Sequence, residues 1–267
     1  MSNTVQALTV AGSDSGGGAG IQADLKTFQM RGVFGTSVIT AITAQNTLGV
    51  FDIHPIPLQT IQSQLKAIAD DFTISAFKIG MLGTAEIIEC VAEALTQYDF
   101  GPLVLDPVMT AKGGAPLLQQ SAVDSLVKFL LPQAEVITPN LPEAMALTGI
   151  DIADEQSAQR AAQMLQAQGV KTVVIKGGHS GNSQSAECRD WIFTPNEHFV
   201  LQSPRYPTPH THGTGCTFSA CLTAELAKGA DIRSAVQTAK AYIGAAISHP
   251  LNIGHGHGPT NHWAYQE

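Results

Sequence analysis

Short β-branched runs alternate with amphipathic stretches along the whole chain, and this rhythm confines it to a sheet whose strands are joined through helices. Ala7 to Val10 reads as a buried strand, Gly12 to Gly20 as a polar glycine-rich loop, and Ile21 to Met30 as a helix. Phe34 to Thr40 and Val50 to His54 are strand candidates. Pro57 to Asp70 opens on a proline suited to a helix start and spaces Leu58, Ile61, Leu65 and Ile68 along one face. Strands are then expected at Ala76 to Ile79, Leu103 to Leu105, Val136 to Thr138 and Thr172 to Lys176. Helices are expected at Glu86 to Gln97, Ser121 to Phe129, Pro142 to Thr148 and Glu155 to Gln168. Glu187 to Gln202 reads as an antiparallel hairpin turning at Pro195-Asn196, and helices at Cys216 to Ala227 and Ile232 to Ile247 follow. Runs such as Thr172-Val173-Val174-Ile175 fit central parallel strands, which are buried on both faces. The expected fold is α/β, a mostly parallel central sheet with helices on both faces in three layers, and residues 1–267 are expected to form one domain. Ligands of such sheets sit beyond the carboxyl ends of the strands.

Composition narrows the partners. The net charge is 14 − 22 = −8, and only 13% of residues are charged, so the clustered Lys and Arg that neutralise nucleic-acid phosphate are missing. An apolar content of 44% excludes disorder. The longest apolar runs, such as Val38 to Ala44, are too short to span a membrane. The start, Met1 to Gln6, is polar and does not read as a secretory signal. Cys90, Cys188, Cys216 and Cys221 do not make a disulfide framework in a chain of 267 residues. A reducing, cytoplasmic setting is expected.

Four clusters lie where strands end. Gly12 to Gly20 follows the first strand. Gly18-x-Gly20-x-x-Ala23 loosely fits a dinucleotide fingerprint, but positions 40 to 44 read Thr-Ala-Ile-Thr-Ala, without the acid that would hold a ribose. A plain structural loop is the other reading. Asp106, in Leu105-Asp106-Pro107-Val108-Met109, is either a turn residue or an acid presented at a strand end. Glu143, in Thr138-Pro139-Asn140-Leu141-Pro142-Glu143, is either part of a helix cap led by Asn140 or a second such acid. Together Asp106 and Glu143 suit Mg²⁺ held partly through water, with phosphate completing its shell. His212-Gly213-Thr214-Gly215-Cys216-Thr217 precedes a helix, and Gly-Thr-Gly there offers free backbone N–H groups as an anion cradle. Cys216 is either a packing residue or a thiol whose pKa the helix N-terminus lowers. The chain has no Walker-type P-loop. His210-x-His212 and His255-x-His257 lack the partners of a usual zinc site.

Taken as a series, these motifs resemble the ribokinase-like superfamily, and more closely the hydroxymethylpyrimidine/phosphomethylpyrimidine kinases of thiamine biosynthesis. The pieces are Ala11 to Asp24, Thr43-Ala44-Gln45-Asn46-Thr47, Lys78-Ile79-Gly80-Met81-Leu82, Asp106 to Met109, Thr138 to Glu143, Lys176-Gly177-Gly178-His179 and His212 to Thr217, in the family's order over nearly the whole chain. The resemblance implies ATP-dependent phosphorylation of a small aminopyrimidine and then of its monophosphate. It implies Mg²⁺ held by Asp106 and Glu143, an anion cradle at Gly213, Thr214, Gly215 and Cys216, and a substrate pocket of Gly12, Asp24, Gln45, Met81 and Val108. Nucleotide contacts are implied at Asn140, Lys176, Thr211 and Lys240, although Lys240 could also simply snorkel to solvent. Wider relatives carry aspartate where this chain has Cys216, so Cys216 is expected to accept or orient the substrate hydroxyl proton. Relatives are commonly dimers. Gly113-Gly114 after Ala111-Lys112 reads as a flap. Pyridoxal kinases of a dual-cysteine type resemble the chain almost as well, but they carry a second cysteine in that flap, where Ala111 stands here.

Overall fold

The computed structural model describes residues 4–110, 114, 117–118, 120–179 and 186–266. In chain order the elements are β1 (Gln6–Asp14), α1 (Gly20–Met30), β2 (Phe34–Asn46), β3 (Gly49–Pro55), α2 (Leu58–Asp71), β4 (Ala76–Ile79), α3 (Ala85–Ala94), β5 (Leu103–Leu105), α4 (Gln120–Ser125), β6 (Val136–Ile137), α5 (Leu141–Thr148), α6 (Glu155–Gln166), β7 (Thr172–Lys176), β8 (Glu187–Phe193), β9 (His198–Pro204), α7 (Thr214–Ala227) and α8 (Ile232–Ser248). The nine strands form one sheet in the order β3-β2-β1-β4-β5-β6-β7-β8-β9. From β2 to β7 all pairings are parallel; β3, β8 and β9 join antiparallel. The chain lays β2 on one side of β1 and β4 on the other. That reversal is a topological switch point, and it opens a crevice beyond the carboxyl ends of β1 and β4.

The two-residue period of the strands divides the core. Leu103 and Leu105 of β5 point into a cluster with Ile88 and Val91 of α3, Ala144 of α5, and Ala161 and Leu165 of α6. Val104, between them, points to the opposite face with Phe218 and Leu222 of α7 and Val236 of α8. Phe28 of α1 packs with Ala220 and Ala224 of α7 on that same side. Each fully buried Leu, Ile or Val of this kind contributes roughly 1.5–3 kcal/mol. Helix α7 is buried on nearly every side from Thr217 to Glu225, so its N-terminus has a fixed position against the strand ends.

Two departures from the sequence reading have physical causes. β1 runs on to Asp14 because it pairs with β2 beyond a bulge at Ala11/Ser13, aligning Ser13 with Ile42 and Asp14 with Thr43, and β2 runs on to Asn46 because it pairs antiparallel with β3, Asn46 opposite Gly49. The helix expected at Ser121 to Phe129 changes pitch. After α4 the chain widens into a π turn at Leu126–Leu130, where the Leu131 N–H bonds to the Leu126 carbonyl, and it ends in a 3₁₀ turn containing Pro132. Proline lacks the N–H that an α-helix needs and its ring clashes with the carbonyl four residues back. The flap expected at Ala111, Lys112 and Gly113 lies outside the described residues.

The C-terminal segment crosses α7 and α8. Tyr242 donates to the His262 carbonyl at 2.7 Å, and His262 Nε2 lies 3.1 Å from Thr217 Oγ1. Burial pushes the His262 pKa down to about 4. A depressed histidine leaves its stabilisation fully present above its unfolded value near 6.5 and loses it as pH falls toward 4, about 3 kcal/mol in all. Urea unfolding at pH 7 and pH 4.5 should therefore show a smaller acid loss in His262→Gln than in the parent. Equal losses would contradict this assignment.

Candidate active site

A cavity of about 720 Å³ opens at the carboxyl ends of the strands. Gly12, Gln45, Met81 and Val108 border it, as do Asp106, Asn140, Glu143, Lys176, Thr211, Lys240 and the run from Gly213 to Cys216. Sheet order places Gly12, Gln45 and Met81 at the β2-β1-β4 end. Tyr206, Lys240, Ile243 and Ile247 line the other end, toward β8, β9 and α8. Asp106 and the start of α7 lie between.

Gly213 is the N-cap residue of α7, with φ +81, and no side chain caps the helix. The positive φ favours glycine. A methyl group at this position would also run into the Gly18 carbonyl, so the first glycine loop and the helix start are packed backbone to backbone. The first N–H groups of a helix have no intrahelical partner. Gly215, in that first turn, borders the cavity where Asp106 and Lys176 meet: a methyl on it would stand 3.4 Å from Lys176 Nζ and 3.5 Å from Asp106 Oδ2. The Gly12 to Gly20 loop is different. Its N–H groups at Gly16, Gly18 and Ala19 bond to Asp14 at 2.8–3.0 Å. The chain's own carboxylate fills that nest, which removes the dinucleotide reading.

Asp106 follows β5 and is fixed on both oxygens. Oδ1 accepts from Lys176 Nζ and Thr138 Oγ1, each at 3.2 Å, and Oδ2 accepts from Ser219 of α7 at 3.1 Å. Burial raises its pKa, but Lys176 and Lys78 outweigh that and hold it below the usual range. Asn140 caps α5, accepting from the Glu143 N–H at 2.9 Å, while Glu143 Oε2 accepts from the Asn140 N–H at 2.8 Å. Capping and a place on the cavity wall thus hold for the same two residues. Burial, opposed by Lys176, pushes Glu143 up to about 7. The donor set fits a hard cation that keeps water and phosphate in its shell: two carboxylates at adjacent strand ends, and among the described residues no cluster of three ligating side chains.

Lys240 does not snorkel. Its Nζ donates to Asp190 Oδ2 at 2.6 Å, and both side chains are largely buried. Asp190 also accepts from the Gly177 N–H at 3.0 Å, so one acid ties α8 to the turn after β7. The Thr211 carbonyl accepts from Thr214 Oγ1 at 2.7 Å.

Two expectations need correction. Asp24 is not on the cavity wall. It is fully buried in α1, accepting from Lys78 Nζ at 2.7 Å and Thr9 Oγ1 at 2.6 Å. Its ion-pair partner Lys78 does border the cavity. Cys216 is not a low-pKa thiol. Burial, with the fields of Asp24 and Asp106, pushes it up to about 11 against the pull of Lys78 and the Gly20 N–H. The helix N-terminus expected to lower it is outweighed by loss of water. The sequence alone assigns no role to Lys78, Asp190, Thr43 or the Asp14–His212 pair. Lys78 carried a signal, a lone lysine in the buried strand Ala76-Phe77-Lys78-Ile79.

Strand order, crevice and an uncapped helix facing an Asp–Lys pair are the architecture of the ribokinase-like small-molecule kinases. An ADP complex of a pyridoxal kinase from Bacillus subtilis superposes with a TM-score of 0.88 at 41% identity, covering 98% of both chains. A phosphomethylpyrimidine kinase from Clostridium difficile superposes at 0.80 with 42% identity over 90% of this chain and 98% of that one. The chain belongs to the phosphomethylpyrimidine kinase family, whose sequence profile matches residues 14–261. A hydroxymethylpyrimidine/phosphomethylpyrimidine kinase of Haemophilus influenzae is 73% identical over 266 residues, 99% of each chain.

Proposed function

We propose that residues 1–267 form one kinase unit. It transfers phosphate from ATP to the hydroxymethyl group of 4-amino-5-hydroxymethyl-2-methylpyrimidine and then to the resulting monophosphate, for thiamine biosynthesis. The observation that carries this is the uncapped start of α7 opposite Asp106 and Lys176, between an acceptor end at Gln45 and Met81 and a nucleotide end at Lys240. Phosphoryl transfer is mostly positioning and charge stabilisation. The N–H groups from Gly213 to Cys216 receive the transferring phosphoryl oxygens. Lys176 and Lys240 balance nucleotide phosphate charge, and Asn140 and Thr211 border that path. Met81 and Val108 give the ring an apolar wall, Gly12 leaves room for it, and Gln45 can match a ring edge that shows a donor beside an acceptor. Asp106 and Glu143 would hold Mg²⁺ through water, and the ion supplies neutralisation of phosphate charge. At a pKa of about 11 Cys216 is a thiol at neutral pH, so its role is to orient the acceptor hydroxyl rather than to remove its proton early.

Phosphorus NMR of the pyrimidine alcohol incubated with ATP should show a monophosphate and then a diphosphate, with two ADP released per pyrimidine. Accumulation of the monophosphate alone would remove the second step, and no ADP release would remove the reading. The solved pyridoxal kinase at 41% identity keeps pyridoxal as the competing acceptor.

Free cysteines and use of ATP fit a cytoplasmic enzyme; no helix among the described residues is long and apolar enough to cross a membrane. A homodimer through the β3 edge fits the exposure of Ile42, Phe51 and Ile53 on the β2-β3 hairpin. Phe51→Glu should sediment as a monomer where the parent sediments as a dimer. A parent that is monomeric at micromolar concentration contradicts this.

A further inference from the structure

The two ends of a carboxamide are nearly the same size, so its neighbours decide which end points where. Gln45 stands half-buried at the cavity, near the end of β2. Thr43 Oγ1 lies 3.2 Å from its Oε1, and His212 Nε2 lies 3.4 Å from its Nε2. Both neighbours are buried, and both are engaged elsewhere. Thr43 donates to the Ser13 carbonyl at 3.0 Å, and a hydroxyl has one proton to give. His212 Nε2 is 2.9 Å from Asp14 Oδ2.

Asp14 is a firm anion. Burial raises its pKa, but His212 and the loop N–H groups outweigh that and hold it below the usual range. A carboxylate at 2.9 Å requires the proton on His212 Nε2. Thr43 is then left as an acceptor toward Gln45, and His212 as a donor shared between Asp14 and Gln45. The arrangement that gives every proton an acceptor puts the Gln45 amino end on Thr43 and its carbonyl on His212, a half-turn of the amide.

We propose that Thr43 and the Asp14–His212 pair are positioning residues that lock the Gln45 carboxamide in one orientation, making the site selective for a ring edge with one donor–acceptor order. This rests on Gln45 as the contact to the acceptor ring. The locked amide leaves one N–H and one oxygen lone pair for the ring. A 4-aminopyrimidine shows an amino donor beside a ring-nitrogen acceptor. The 4-oxo analogue reverses both, and to bind it the amide must break its bonds to Thr43 and His212. Sites built to pair with polar groups reject a mismatched analogue far more strongly than apolar pockets reject an extra methylene.

The test is kcat/KM of the full-length enzyme for the 4-amino acceptor and its 4-oxo analogue. The parent should prefer the amino compound on the order of 1,000-fold or more. In Thr43→Val, which keeps the shape and removes the hydroxyl, the preference should fall to about tenfold. The loss should come mainly through KM, with kcat on the amino compound within about threefold. Thr43→Ser should restore the parental preference, and His212→Leu should reproduce the loss. A parental preference retained in Thr43→Val, while Gln45→Ala raises the acceptor KM tenfold or more, overturns the lock alone. An unchanged acceptor KM in Gln45→Ala overturns the recognition reading beneath it.

Discussion

Cys216→Ala is expected to lower kcat by about 100-fold while leaving the KM for ATP within about twofold. Cys216 is in the first turn of α7 and borders the cavity. Its loss removes the group that aims the hydroxyl but leaves the backbone N–H groups in place. A thiol held up to about 11 cannot act as an efficient base at neutral pH, and a loose transition state asks little of a base early in the reaction. Cys216→Ser should therefore stay within about tenfold of the parent, since a hydroxyl can orient a hydroxyl. Iodoacetamide labelling, read at the Cys216 peptide, should accelerate only well above pH 9, because the thiolate is the reactive form. A labelling midpoint near 7, or near-parental kcat in Cys216→Ala, would contradict this role.

The second large effect is on stability. Lys78→Met should destabilise the fold by about 3–5 kcal/mol. Lys78 and Asp24 are both fully buried at 2.7 Å. Burial favours a neutral lysine, yet Asp24, with the fields of Cys216 and Asp106, outweighs it and holds Lys78 above its usual range. Removing the cation strands a carboxylate whose other side-chain bond is to Thr9. The double variant Asp24→Leu/Lys78→Met leaves no uncompensated charge and should recover much of the loss, because replacing a buried pair by apolar groups is often close to neutral. Urea unfolding of both single variants and the double variant measures the coupling; additive losses would show that the two side chains do not depend on each other.

The fold was legible because its central strands are buried on both faces. Leu105 and Ile175 close uninterrupted apolar runs, with Asp106 and Lys176 directly after them, and Glu143 stands in the first turn of the helix that follows β6. The cavity gathered them because strand ends in a parallel sheet share one edge. Local sequence could not show pairing over distance. Asp14 and His212 are 198 residues apart in the chain, and Arg31 and Glu225 are 194 apart. It also could not weigh solvation. Cys216 has the helix terminus that lowers a thiol, and only the structure shows the burial that raises it. The family resemblance implies Asp24 as a pocket residue, but its helix turns it inward to Lys78. The π turn at Leu126–Leu130 is a further case, since its cause, Pro132, lies past the stretch that reads as a helix.

Whether this kinase scaffold takes an aminopyrimidine as acceptor is measured most directly by coupled ADP release with hydroxymethylpyrimidine, its monophosphate and pyridoxal, each titrated in parallel at fixed Mg-ATP. Both pyrimidine acceptors should give kcat/KM values above that of pyridoxal by about 100-fold or more. Pyridoxal turning over as well as or better than the pyrimidines would contradict the account.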